Sequence, residues 1–177
     1  MIPVVSKLLA SVMLRRLIKT REEQIREEQA GFRPGRGCID QIFTLRQLLE
    51  QRHIYRRPTV LLFLDIRAAF DSVDRNALWQ CLCRFGVPEK YVSILEALYS
   101  QTSDRVRVYG RLSSPFAISS GVRQGCPTSP FLSNFVIDDV LQRALGGLPD
   151  SGIELRPGNR VCDLEYADDI ALLGDNA

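Results

Sequence analysis

Three aspartates stand where a sheet could present them to a reaction. Asp65 closes the apolar run Val60-Leu61-Leu62-Phe63-Leu64, and Asp168 and Asp169 lie between two apolar segments, Val161 to Tyr166 and Ile170 to Leu173. A carboxylate at the end of an all-apolar strand meets solvent at the sheet edge, where many sheets hold their chemistry. Adjacent aspartates are costly if they face each other, and a divalent cation would offset that repulsion. If Asp65 and the Asp168-Asp169 turn fall on neighbouring strands, three carboxylates converge. Oxygen donors with no His or Cys nearby favour Mg²⁺ or Mn²⁺ over zinc. Two such ions about 3.5–4 Å apart can activate a hydroxyl and stabilise a leaving group in an in-line displacement. A plainer reading also fits: Asp65 ends a strand, Asp71 or Asp74 caps the next helix, and a tight turn exposes Asp168 and Asp169 to water.

Two loops could accompany this chemistry. Gly121-Val122-Arg123-Gln124-Gly125-Cys126-Pro127-Thr128-Ser129-Pro130 combines small residues, which let a substrate approach the backbone, with a helix N-terminus that favours anions. It lacks the lysine of a P-loop, and a purely structural loop fits it equally. Gly31-Phe32-Arg33-Pro34-Gly35-Arg36-Gly37 breaks any helix with three glycines and a proline.

The elements that must hold these residues follow from periodicity. Leu8, Leu9, Val12, Met13, Leu17 and Ile18 give a helix over Lys7 to Lys19, followed by the charged segment Arg21 to Glu28. Ile39, Ile42, Leu45, Leu48 and Leu49 give a second helix, ended by the basic stretch Arg52 to Arg57 and Pro58. Val60 to Leu64 has the pattern of a strand buried on both faces. A third helix is expected from Asp74 to a stop at Gly86, and a fourth after Pro88. A hairpin is expected around Gly110, and a helix from Ser129-Pro130 to about Leu145. Two strands joined at Ala167-Asp168-Asp169 close the chain, and this mixed order gives an α+β fold.

Composition narrows the class. The 177 residues are 45% hydrophobic and 25% charged, which excludes global disorder. Apolar runs fall far below the roughly 18 residues of a membrane span. The amino terminus carries Pro3 and no cleavage pattern, so an intracellular protein is expected. Five cysteines without a C-x-x-C pair and a single histidine, His53, argue against structural zinc and against a His-dependent hydrolase. The net charge of +2 is uneven: residues 1–57 hold 12 Lys/Arg against 6 Asp/Glu, and residues 58–177 hold 11 against 15. Only Lys7, Lys19 and Lys90 are lysines, and arginine suits bidentate phosphate contacts. Charge alone fits solvated helix faces as well as a polyanion held near a cation site.

In order and separation, these segments resemble the reverse transcriptase of non-LTR (LINE-type) retrotransposons. Phe63-Leu64-Asp65 with Ala69-Phe70-Asp71 is similar to the first catalytic motif, and Tyr166-Ala167-Asp168-Asp169 to the second. Gly121 to Pro130 resembles the substrate loop, and Gly31 to Gly37 with Asp40-Gln41 a fingers motif. The resemblance implies a polymerase palm, an antiparallel sheet backed by helices. Residues 1–57 would be partial fingers and 58–177 a truncated palm with a finger-side insertion near 86–120, the thumb absent. The implied activity is RNA-directed DNA polymerisation from dNTP onto a DNA primer along an RNA template, with no membrane involved. Asp65, Asp168, Asp169 and the Ile66 carbonyl would hold two Mg²⁺ ions, Mn²⁺ being an alternative. Phe70 would exclude a 2′-OH, and Gln124 and Gly125 would line the nucleotide pocket. Arg33, Arg36 and Arg123 would contact nucleic acid, and nuclear action would follow from family behaviour. Thr128 departs from the aliphatic residue usual there. Pro3 to Leu8, preceded by Ile2, resembles the middle of a fingers segment, and Ala177 follows the hairpin at once. A polymerase cut at both ends is therefore expected, weak or inactive alone, with a remnant that at most binds nucleic acid as the alternative.

Overall fold

The computed structural model describes residues 3–147, 152–156 and 158–175. Ile2 and Ala177, invoked above at the two ends, lie outside the described residues. Among the described residues, five helices and nine strands follow in chain order: α1 Val4–Gln24, α2 Cys38–Ile54, β1 Val60–Asp65, α3 Arg75–Arg84, α4 Glu89–Tyr99, β2 Ser103–Asp104, β3 Arg107–Val108, β4 Arg111–Leu112, β5 Phe116–Ala117, α5 Ser129–Leu145, β6 Ile153–Arg156, β7 Asn159–Val161, β8 Asp163–Tyr166 and β9 Asp169–Gly174. They divide into two compact units, Met1–Glu23 with Phe70–Ser133, and Gln24–Ala69 with Asn134–Ala177.

The second unit is built on an antiparallel sheet in the order β1-β9-β8. Register pairs Leu61 with Leu173, Phe63 with Ala171 and Asp65 with Asp169 across β1 and β9, and Tyr166 with Asp169 across β8 and β9. Side chains alternate between faces, so Leu61, Phe63, Asp65, Ala171, Asp169 and Tyr166 share one face. That face is covered through Leu45 and Leu48 of α2, which pack with Leu61, Leu164 and Leu173. The opposite face packs Ile170 and Leu172 on Ile137 and Leu141 of α5. Residues 28–30 add a short parallel bridge to β8: Ala30 N donates to Glu165 O at 2.9 Å, and Glu165 N donates to Glu28 O at 3.0 Å.

One sequence expectation fails here. β1 is an exposed edge strand, not one buried on both faces: Leu62 is 53% and Phe63 67% exposed. The cause is the position of the covering helices. The buried Leu48, Ile137 and Leu141 pack on Leu173 and Ile170 of β9, with Leu61 the one residue of β1 that joins them, and Leu62, Phe63 and Leu64 are left exposed.

In the first unit, Ala10, Met13 and Leu17 form the buried stripe of α1, with Arg21 stacked 5.3 Å from the Phe131 ring. Asp74 caps α3 by accepting from Ala77 N at 2.8 Å, and Gly86 at φ 73° follows its end, as the sequence predicts. The hairpin near Gly110 forms as two-residue ribbons, β3 with β4 and β2 with β5.

Candidate active site

Asp65 and Asp169 are direct cross-strand partners at one end of the sheet. Cβ atoms of such partners lie about 4.5–5.5 Å apart, and two like charges so placed repel. Both residues are exposed. Asp168 belongs to the two-residue turn Ala167-Asp168 that joins β8 to β9, and it is half-buried. The turn has a left-handed residue, Ala167 at φ 60°, a conformation costing an L-residue about 1–2 kcal/mol. The donors fit a hard divalent cation in chemistry, since an exposed pair of facing carboxylates is relieved by positive charge. Their convergence is looser than expected: among the described residues no group of three His, Cys, Asp or Glu side chains is gathered closely enough to hold a metal ion. Neighbouring strands bring Asp65 and Asp169 side by side, whereas Asp168 hangs from the turn and its direction is not fixed by the ladder.

Behind the turn lies a buried polar network. Gln29 is fully buried, and its amide uses all four of its hydrogen-bonding capacities. Nε2 donates to Glu165 Oε2 at 2.8 Å and to Ala167 O at 3.1 Å, while Oε1 accepts from Gly31 N and Ala167 N, both at 2.8 Å. Arg26 donates to Asp138 Oδ1 at 2.9 Å, to Asp163 Oδ1 at 3.2 Å and to Glu165 Oε1. One guanidinium thus faces three buried carboxylates. Burial, then the Asp163 carboxylate, push Glu165 up to about 9, against the opposing pull of Arg26. Burial also raises Asp138. Burial lowers Arg26, but Glu165, Asp163 and Asp138 outweigh it and leave the guanidinium raised.

Arg33 is buried, and its Nη1 donates to the carbonyls of Arg26 at 2.9 Å and Gln29 at 3.0 Å. Arg36 is half-buried and paired with Glu27. Gln41 of the same motif donates to Glu28 O at 2.8 Å and Glu165 O at 3.1 Å, tying α2 to the bridge beside β8. Asp65, Ile66, Asp168, Asp169, Arg33 and Arg36 all belong to the second unit.

Phe70, Arg123, Gln124 and Gly125 belong to the first unit, where the two segments carrying them meet. Val122 N donates to Phe70 O and Gly121 N to Val73 O, both at 2.8 Å, and Gln124 Nε2 lies 3.4 Å from Asp71 Oδ1. Gly121, at φ 77°, permits this approach: a Cβ there would stand 2.9 Å from Asp71 Cα. Gln124 and Gly125 are exposed. Arg75 braces the loop from behind, donating to the carbonyls of Gly121, Ser120, Ile118 and Tyr99 at 2.9–3.2 Å and to Thr102 Oγ1 at 2.6 Å. Arg123 stacks 5.4 Å from the Tyr99 ring, and its Nε is buried without an acceptor among the described residues. The departure at Thr128 is satisfied locally, because its buried hydroxyl lies 3.2 Å from Cys126 Sγ. Sequence reasoning missed Arg26, Gln29, Glu165, Arg75 and Tyr99 as supports of the site. The one local hint was the proximity of Gln29 to the Gly31–Gly37 motif.

Over residues 1–177 the chain matches the family of reverse transcriptases (RNA-dependent DNA polymerases), and it belongs to that family. It is 32% identical over 176 residues to the transposon TX1 uncharacterized 149 kDa protein of Xenopus laevis, a match covering 96% of this chain and 13% of that protein. It is 32% identical over 148 residues to the Pol polyprotein from the type-2 retrotransposable element R2DM of Drosophila melanogaster, covering 83% of this chain and 14% of the relative. The chain thus spans about a seventh of these relatives. Among solved structures, telomerase from Candida tropicalis in complex with a fragment of telomeric RNA shares the fold at a TM-score of 0.66 and 14% identity, over 94% of this chain and 28% of that one. The α+β, palm-type architecture agrees with that likeness. No helix among the described residues is long and apolar enough to cross a membrane.

Proposed function

We propose that this chain carries the polymerase chemistry of a non-LTR retrotransposon reverse transcriptase: the 3′-OH of a DNA primer attacks the α-phosphate of a dNTP opposite an RNA template, and pyrophosphate leaves. The observation that carries the reading is the row in which Asp65 and Asp169 are cross-strand partners, with Asp168 in the adjoining turn. These aspartates and the Ile66 carbonyl would hold a pair of Mg²⁺ or Mn²⁺ ions, which when bound would supply hydroxyl activation and charge neutralisation at the leaving group. Further side chains in each unit would position substrates. Phe70 lies beneath the sugar and rejects a 2′-OH, the group that separates RNA from DNA precursors. Gln124 and Gly125, exposed on a loop braced by Arg75, line the nucleotide pocket. Arg123, whose Nε has no acceptor among the described residues, and Arg36 would hold phosphates of the nucleic acid. Arg33 supports the template side by fixing the loop that carries Arg36.

The test is primer extension on an RNA template. Template- and Mg²⁺-dependent dNTP incorporation is expected, reduced to background by Asp168→Ala, with Phe70→Ala lowering discrimination against rNTP by about 10–100-fold. Salt-sensitive RNA binding with no extension by the wild type would refute the enzymatic reading and leave a nucleic-acid-binding remnant.

A further inference from the structure

We infer that Gln29 is a positioning residue for the Asp168–Asp169 turn, acting through the peptide groups of Ala167 in a clamp completed by Gly31. The inference rests on the proposed polymerase reading for its catalytic consequence, but not for its geometry.

Four observations carry it. Gln29 grips Ala167 from both sides, accepting from its N–H at 2.8 Å and donating to its carbonyl at 3.1 Å. Ala167 is the left-handed residue of the turn and immediately precedes Asp168, so its orientation sets the direction in which Asp168 leaves the backbone. Gly31 allows the clamp to close: a Cβ there would stand 2.6 Å from Ala167 Cα and 2.8 Å from Gln29 Oε1. The clamp is itself anchored. Glu165 accepts from Gln29 Nε2 at 2.8 Å, and Asn134 Nδ2 of α5 donates to Gly31 O at 2.6 Å. A side-chain amide that cannot rotate without losing a bond to Glu165 or Gly31 holds a turn more rigidly than one facing solvent. The ladder fixes Asp65 and Asp169 by register, whereas Asp168 lies in the turn and lacks that constraint. The Gln29 clamp supplies it.

The experiment compares wild type with Gln29→Met, which keeps length and removes both polar functions, and with Gly31→Ala. Amide hydrogen exchange is read residue by residue, and primer extension is read as kcat and KM for dNTP. In Gln29→Met, exchange at Ala167 is expected to accelerate on the order of tenfold or more, while Ala171 to Leu173 in β9 keep wild-type protection. In extension, kcat is expected to fall about 10–100-fold with KM unchanged, as when groups supporting metal ligands are removed. Gly31→Ala is expected to give the same pattern. Unchanged Ala167 protection in folded Gln29→Met would overturn the inference, as would an equal loss across β8 and β9, the mark of a merely structural role. If Gln29→Met does not fold, Gly31→Ala decides by the same criteria. Should wild type extend no primer, the polymerase reading fails while the exchange pattern still decides the clamp.

Discussion

Arg26 and Arg75 each brace an element next to candidate residues in their own unit, and they do so by opposite electrostatics. Arg26, in the unit that carries the aspartates, faces Asp138, Asp163 and Glu165. Arg75, in the unit that carries the Gly121–Pro130 loop, faces four backbone carbonyls and a threonine hydroxyl. Among carboxylates the Arg26 guanidinium is raised above its ordinary value. Arg75, desolvated and near Arg123, is lowered. The difference teaches that the turn bearing Asp168 is backed by groups whose charge must balance, whereas the loop bearing Gln124 is backed by dipoles that do not titrate.

The largest effect that could break this comparison is Arg26→Met. Removing the cation leaves buried carboxylates uncompensated, and urea denaturation should show a loss of about 3–5 kcal/mol. Arg75→Met leaves carbonyls short of a donor at a partly solvated position, and a smaller loss of about 1–3 kcal/mol is expected. Equal losses would erase the distinction.

The next test sharpens it through pH. Glu165 has a native pKa of about 9 against an ordinary value of 4.5, so the native state binds the extra proton between these limits. Unfolding free energy should therefore fall as pH rises from 4.5 toward 9, by up to ~1.4 kcal/mol per pH unit. Below that window the effect is absent. Glu165→Gln should flatten the slope, and Arg75→Met should leave it intact. A slope unaffected by Glu165→Gln would detach the pH response from the Arg26 cluster. Smallest of all is Tyr99→Phe, which removes a hydroxyl lying 3.3 Å from both Arg123 N and Ser129 Oγ. A loss of about 0.5–1.5 kcal/mol is expected in thermal denaturation, with the pH slope unchanged.

Much of the scaffold was legible because it is local. The Asp74 cap and Gly86 stop bound α3, Ser129 opens α5, and two apolar runs mark β8 and β9. The apolar runs raised the neighbourhood of Asp65 and the Asp168-Asp169 turn only as a condition, which the pairing of β1 with β9 meets. The Arg26–Gln29–Glu165 network was not legible, because its members are 136 and 139 residues apart and Arg21 to Glu28 has the composition of a solvated helix face. Only pairing across the fold makes burial of those charges tolerable. The exposure of β1 escaped for a related reason: an apolar run reports what a strand could bury, not which strand the helices cover. Gly31 to Gly37 with Gln41 resembles a fingers motif, and the motif does not tell that Gly31 N bonds to Gln29 and Gln41 to Glu165 O on β8.

The central claim is that exposed, mutually repelling aspartates are retained for chemistry, and Asp169→Asn tests it most directly in one sample. Removing one charge of the Asp65–Asp169 pair should leave the melting temperature equal to or above wild type while reducing RNA-templated primer extension to background. Extension at the wild-type rate by a folded Asp169→Asn protein would contradict the account.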